Sequence, residues 1–420
     1  MPKLSKFNGN ENNTSMKHIL IAFGIIICLL AAFGIYRTHA IYTTKQEYDV
    51  IRSKIGDFSD SCPVVECEGM SLNECIISLS ETHKSVVQQI QPSTGQTETS
   101  ATTDYRYIGA DPCNYVCLEA DGKCEEDELY RIIGVIPTQK TIGGTFENRV
   151  KLIKETAYIG PTVVDNFGKQ GQATPDGKGY YWSGRDTNIV SSNNPASNDW
   201  PESLLNKDVL NSTTNPNSYW KSISSYHQYI DDTVWYLGTV GVGDTYPITS
   251  YPSTQDFYIK ERGTNTDRGT LPPNIVLKSS VPNTTAKIGL IYPSDYGYAT
   301  SGGSEEKRNE CITGWLYDYD GTHWGAKSDG LCMANDWLNF HGNGYNWTIT
   351  SYGNTPFIAW FIGGTGYAGQ AQVGPNFGYE GYAITSVAPN MNVRPVFSLA
   401  SNVKYNGGTG NYDNPYLISL

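Results

Sequence analysis

The prediction of the fold starts from residues 130–136, YRIIGVI. Branched and aromatic side chains fill this short run, a composition typical of a β-strand. Similar strand-like runs follow at residues 150–153, 287–292, 347–352, 357–362 and 393–399. Residues 105–420 are therefore predicted to form one large domain of mixed, mainly β character.

Two helices are predicted among these strands. Residues 202–210 follow a turn signal and carry Leu and Val at helical spacing, and residues 224–237 carry Tyr, Ile, Val and Leu in the same way. The predicted fold class is α+β, with an N-terminal transmembrane helix and stalk ahead of the large domain.

The composition limits the class of partner. The chain has 420 residues, with 30 Lys and Arg against 42 Asp and Glu, and a net charge of −12. Such an acidic chain is not expected to bind nucleic acid. Only 17% of residues are charged, whereas Gly (43) and Tyr (30) are abundant, which fits β structure with long loops.

The N-terminal part of the chain predicts a membrane anchor. Residues 19–36 form an uncharged apolar run of 18 residues, long enough to cross most of a bilayer core, so residues 1–18 become a cytoplasmic tail. A cleaved signal peptide is the alternative, because Thr38-His39-Ala40 resembles a cleavage site. We expect a single-pass protein of the cell membrane whose C-terminal domain is extracellular.

The cysteines support this placement. Eight cysteines follow the apolar run, an even set of the kind that forms disulfide bonds outside the cytosol. Cys311 and Cys332 are predicted to pair with each other. The other six form two groups of three, so one member of each group is expected to pair across the two groups, with the connectivity open: Cys62, Cys67 and Cys75, then Cys113, Cys117 and Cys124.

The segment between anchor and domain divides in two. Residues 37–90 are predicted to form a stalk and a small cysteine-bearing helical unit, in which Ser71 and Glu74 make a capping box. Residues 91–104 have no large apolar side chain to bury and are predicted to be a flexible linker and domain boundary.

An ordered series of short motifs carries a family resemblance. The series is YRIIGVI (130–136), WYLG (235–238), KIGLIYPSDYGYA (287–299), NDWL (335–338), VRPVFSL (393–399) and GGTGNYDNPYLI (407–418). It resembles uncharacterised C-type-lectin-like extracellular domains of low-GC Gram-positive gut bacteria. The resemblance implies a small twisted sheet, two helices and a long loop region that presents a ligand surface. The Pro-containing triplets of calcium-dependent sugar binding are absent, since only Gly374-Pro375-Asn376 and Ala388-Pro389-Asn390 come near them.

Aromatic residues in the late loops are the candidate ligand-binding residues. They alternate with Asn, Ser and Gly, a mixture that provides rigid contact area and adaptable hydrogen bonds. Trp337, Trp347 and Trp360 are expected in the core. The expected ligand-binding members are Tyr317, Tyr319, Trp324, Tyr367, Phe377, Tyr379 and Tyr382.

Metal, cofactor and catalytic motifs are weak. Glu310, Asp318, Asp320 and Asp329 offer oxygen ligands for calcium, but without EF-hand spacing a solvated acidic loop is favoured, and no cofactor is expected. Residues 364–369 (GTGYAG) match a dinucleotide-loop pattern, although the residues after them favour a glycine-rich hairpin. No catalytic triad or zinc-protease motif occurs, so an enzyme is not expected.

The preferred function is therefore a surface binding protein or adhesin that recognises a glycan or a host surface protein. Two alternatives remain open. One is a pilin-like structural subunit that assembles through its N-terminal helix, and the other is an extracellular enzyme.

Overall fold

The computed structural model describes residues 62–90, 103–158, 198–242, 251–319, 345–363, 367–372 and 391–420, and also the single residues 180, 182, 332, 337 and 338. Short gaps within these ranges fall at residues 64–65, 120–123, 126–127, 265, 272–274, 279–280 and 354–357. This part of the chain is a mixed α+β structure of mainly strands and few helices. The helices are α1 Leu72–Thr82, α2 Tyr219–Ser222, α3 Thr254–Glu261, α4 Pro293–Tyr298 and α5 Glu305–Thr313, with shorter helical turns at Trp200–Glu202, Leu205–Leu210, Ser224–Tyr229 and Leu316–Asp318.

The strands form one large and three smaller sheets. They are β1 Val87–Ile90, β2 Asp104–Tyr107, β3 Tyr115–Cys117, β4 Leu129–Gln139, β5 Phe146–Lys154, β6 Thr233–Tyr236, β7 Asp267–Leu271, β8 Ile275–Lys278, β9 Asn283–Ala286, β10 Ile288–Gly289, β11 Tyr345–Ser351, β12 Ile358–Gly363, β13 Tyr367–Gln372, β14 Met391–Asn392, β15 Val396–Ser398, β16 Lys404–Tyr405 and β17 Tyr416–Ser419.

The large sheet is built around β4, the strand that contains YRIIGVI. Its order is β10-β15-β5-β4-β3-β17-β16, and β2 joins β4 and carries β1 at its outer side. The first eight residues of β4 are buried, and the strand pairs antiparallel with β5 along its length. Branched side chains on both faces of β4 therefore pack in the core, as the sequence of this stretch requires.

The second sheet has the order β13-β12-β11-β14. β12 and β13 pair antiparallel and end opposite each other at Gly363 and Tyr367. This pairing is the one that the glycine-rich hairpin predicted at residues 364–369 requires, while residues 364–366 themselves lie outside the described residues. A dinucleotide loop would need a helix where β13 stands.

Two tryptophans of the second sheet are buried in the core. Trp347 and Trp360 are buried and donate their indole N–H groups to the carbonyls of Tyr180 and Val240, both at 2.8 Å. Because a buried indole needs an acceptor, these bonds fix the position of each ring. Trp337 is buried as well, so all three predicted core tryptophans are confirmed.

The predicted helix at residues 224–237 is wrong in its second half. A helical turn ends at Tyr229, and Thr233–Tyr236 is strand β6, paired with β9. The spacing of apolar residues here fits both the helical and the strand period, and pairing with β9 selects the strand. Residues 202–210 are two separate helical turns, and of the strand predicted at residues 287–292 only Ile288–Gly289 is formed.

The disulfide bonds agree with the sequence. Cys311 pairs with Cys332, as predicted. One bond joins the two groups of three cysteines, as expected, and each group also contains a local bond. The three bonds are Cys62–Cys113, Cys67–Cys75 and Cys117–Cys124.

The division into domains differs from the predicted one. Residues Cys62–Leu420 form one compact unit, separate from Met1–Ser61, so the boundary does not fall at residues 91–104. The capping-box helix is present as α1, but it docks on the large sheet, where the Leu72 amide donates to the Val403 carbonyl at 2.8 Å. β1 then pairs with β2 across residues 91–103, which binds both sides of the predicted linker into one sheet.

The predicted anchor at residues 19–36 lies outside the described residues. Within the part of the chain that the structure describes, no helix combines the length and apolar character needed to cross a membrane.

Candidate binding surface

Three aromatic side chains meet at the surface of the compact unit, and we call them the aromatic cluster: Tyr251, Trp315 and Tyr317. Each is partly exposed. The rings of Tyr251 and Tyr317 are stacked, with centroids 4.2 Å apart and planes 8° from parallel. The ring of Trp315 lies 5.8 Å from that of Tyr251 at an angle of 58°. Tyr317 is one of the predicted ligand-binding residues.

The backbone holds the two halves of this cluster together. Tyr251 lies three residues before the start of α3, whose first turn is capped by Ser253 and Asp256 in a capping box. Ser253 also pairs with Trp315 as an isolated antiparallel bridge, and the Leu316 amide donates to the Pro252 carbonyl at 3.1 Å. The rings are therefore placed by main-chain contacts as well as by their own stacking.

The helical turn Leu316–Asp318 lies against β13. β13 begins with Tyr367, a second predicted ligand-binding residue, so the structure places the segments of Tyr317 and Tyr367 next to each other. The remaining predicted members Trp324, Phe377, Tyr379 and Tyr382 lie outside the described residues.

Tyr319, by contrast, is part of the core. It is 1% exposed, and its hydroxyl lies 2.8 Å from Thr254 Oγ1 in the first turn of α3. Burial raises the pKa of Tyr319 well above its usual range. The prediction that this ring forms part of an exposed ligand surface does not fit its place beneath the cluster, where it joins α3 to the loop.

A disulfide bond fixes the loop that carries Trp315 and Tyr317. Cys311 stands in α5 and Cys332 lies 21 residues further along, and both are buried. The bond closes a loop that contains the predicted residues Tyr317, Tyr319 and Trp324. A closed loop has fewer conformations to lose when it binds a ligand, which favours recognition by this segment.

The cluster is uncharged. Burial raises the pKa of Tyr251 above its ordinary value, and the neighbours that raise it further are Tyr317 and Tyr352. These neighbours are neutral aromatic groups.

Of the four acidic residues considered as calcium ligands, Glu310 is the one whose side chain the structure describes. Glu310 is exposed and pairs with Lys307 at 2.8 Å, and Asp318 ends the helical turn. Asp320 and Asp329 lie outside the described residues. Among the residues that are described, no group of three or more His, Cys, Asp or Glu side chains is placed to hold a metal ion.

The far end of α3 carries a buried carboxyl group, Glu261. It is fully buried, and it accepts hydrogen bonds from the Ser294 hydroxyl and amide and from the Thr350 hydroxyl. Arg262 Nη1 lies 3.7 Å away. Burial raises the pKa of Glu261 to about 7, although Arg262 and Ser294 oppose the shift. This group is a candidate for a pH-dependent contribution to stability.

Sequence reasoning missed Tyr251 and Trp315. Tyr251 stands before the capping signal of α3, and Trp315 stands just after α5, so each marks a helix end that the sequence could have indicated. Their proximity depends on a contact between segments more than 60 residues apart. A comparison of the chain with protein-family models, with curated proteins and with solved structures finds no match.

Proposed function

We propose that this chain is a membrane-anchored, cell-surface binding protein that recognises a glycan or a surface protein through the aromatic cluster and the loop residues beside it. The observation that carries the proposal is the partly exposed aromatic cluster, in which Tyr317 stacks on Tyr251, and Tyr317 and Trp315 stand on a disulfide-closed loop. Rigid aromatic side chains offer large contact area with little loss of conformational entropy.

The disulfide bonds support an extracellular location. Four bonds lie in the compact unit. Such a set persists in oxidising compartments and is rare in the cytosol. Together with the apolar run at residues 19–36, it fits a protein whose C-terminal part is outside the cell. The C-type-lectin-like resemblance adds the expectation of a loop region devoted to ligand binding.

A binding screen tests the proposal. The full chain, purified in detergent with its disulfides intact, is applied to an array of glycans, mucins and surface proteins with and without a calcium chelator. Tyr317→Ala and Trp315→Ala are expected to lower binding of the array ligand at least tenfold. The matched control is Tyr412→Ala, because Tyr412 is an exposed tyrosine, 47% accessible, on another loop.

The outcomes separate the candidates. Loss of binding in the two cluster variants but not in Tyr412→Ala supports the aromatic cluster. Loss in Trp324→Ala or Tyr379→Ala alone places the ligand on the other predicted residues and refutes the role of the cluster. Binding that disappears with the chelator indicates a metal-dependent site, and a folded protein that binds nothing on the array refutes the proposal as stated.

A further inference from the structure

A lysine and an aspartate lie in direct contact in the core, between the large sheet and α4. Lys151 Nζ is 2.5 Å from Asp295 Oδ2, and the two side chains are 5% and 0% exposed. Lys151 stands on β5, and Asp295 stands in the first turn of α4, 144 residues later. The pair therefore joins two distant parts of the chain.

Burial of such a pair is unfavourable, because each charge loses its hydration. Aromatic rings surround the amine: the ring centroids of Tyr292 and Trp235 are 4.6 Å and 5.6 Å from Lys151 Nζ. A reaction that removes both charges at once and releases water would end this cost. Condensation of the amine with the carboxyl group is such a reaction.

The surroundings favour the amine as a nucleophile. Burial lowers the pKa of Lys151, and the nearby Arg106 and Arg262 lower it further against the opposing effect of Asp295. A lysine that is desolvated and close to other cations reacts more readily as the neutral amine. The contact with Asp295 also holds the two groups together without loss of further entropy.

The carboxyl group is held for attack by Arg106. Its Nη1 donates to Asp295 Oδ1 at 2.7 Å, which leaves Oδ2 facing the lysine. Asp104 positions the guanidinium through two bonds to its Oδ2, at 2.9 and 2.8 Å. A cationic donor on Oδ1 stabilises the negative charge that grows there when the carbonyl carbon is attacked.

We propose that Lys151 and Asp295 form an intramolecular isopeptide bond. The ammonium group of Lys151 first gives a proton to Oδ2, an uphill step because Lys151 and Arg106 hold the pKa of Asp295 below its usual range. The neutral amine then attacks Asp295 Cγ, and a C–N bond forms while negative charge develops on Oδ1 beside Arg106. A second proton passes from nitrogen to Oδ2, the Cγ–Oδ2 bond breaks, and one water molecule leaves. The ion pair supplies every atom and proton that the amide and the water need, so no other reactant takes part.

Mass spectrometry of the full chain tests the proposal. After reduction and alkylation, the intact mass is expected to be one water lower than the mass calculated for the fully alkylated sequence. Trypsin is expected to release peptide 150–154 joined to peptide 288–307, because trypsin does not cleave after an acylated lysine. Lys151→Arg keeps the positive charge but cannot condense, so this variant should have the full sequence mass.

The control is Lys154→Arg, which changes another buried lysine of β5, one whose Nζ donates to Thr156 Oγ1 at 3.0 Å. It should keep the loss of water. A wild-type chain at its full sequence mass overturns the proposal whether or not the variants fold. A loss of water that maps to any peptide other than the joined pair overturns it as well.

Discussion

Replacing Glu261 by glutamine is expected to stabilise the protein at neutral and alkaline pH and to remove part of its pH dependence. Burial raises the pKa of Glu261 from 4.5 to about 7, so between these values the folded protein binds a proton that the unfolded chain does not. The stability that this group contributes is present below pH 4.5 and is lost as pH rises through 7.

The size of the effect follows from the shift in pKa. A difference of about 2.5 pKa units corresponds to about 3 kcal/mol of unfolding free energy between acid and alkaline conditions. Glutamine keeps the shape of the protonated acid, and its carbonyl oxygen can still accept from Ser294. The difference in unfolding free energy between Glu261→Gln and wild type should therefore rise by about 3 kcal/mol from pH 4.5 to pH 8.

Denaturant unfolding of the full chain, followed by tryptophan fluorescence at closely spaced pH values, measures this difference. Comparison with the variant subtracts the contribution of the other titrating groups. The matched control is Glu310→Gln, on an exposed position of α5, which should follow the wild-type profile. If the profiles of wild type and Glu261→Gln run parallel from pH 4.5 to 8, the argument from burial is refuted.

Three further changes test the packing and the loop. In Gly289→Ala the new Cβ would stand 2.7 Å from the ring of Trp235, so unfolding free energy should fall by about 2 kcal/mol in the same denaturant assay, and an unchanged value would contradict the contact. The double change Cys311→Ser and Cys332→Ser opens a loop with a sequence separation of 21 and should cost about 3 kcal/mol, which an unchanged thermal midpoint would exclude. Tyr319→Phe removes a buried hydrogen bond at a cost of about 1 kcal/mol but should leave ligand affinity unaltered, and a loss of affinity would return this residue to the binding surface.

The sequence predicted elements where one signal dominates. The run at residues 130–136 has the composition of a strand and is buried on both faces, and Ser71 with Glu74 marks the start of α1 without competition. At residues 224–237 the apolar positions fit a helix and a strand equally well, and only the pairing of β6 with β9 settles the second half. The local sequence pattern cannot determine the secondary structure of a segment whose paired strand lies about 50 residues away in the chain.

The candidate site was predictable only in part. Tyr317 was chosen because aromatic residues crowd its loop, but the same criterion chose Tyr319, which faces the core. Alternate residues of a turn differ in exposure, and the helices packed beneath decide which one is buried. Tyr251 and Lys151 gave no local signal at all, since their importance comes from contacts with residues far along the chain.

The disulfide between Cys62 and Cys113 determines where mechanical force would enter the folded unit. A pull on the preceding segment reaches Cys62 first, and the covalent bond passes it directly to Cys113, just ahead of β3. Residues 63–112, with α1, β1 and β2, are bypassed and carry no tension. β3 is held between β4 and β17, so the load acts along strands paired on both sides instead of peeling an edge. A protein tethered by its N-terminal segment and bound to a ligand would thus transmit tension through the middle of its large sheet.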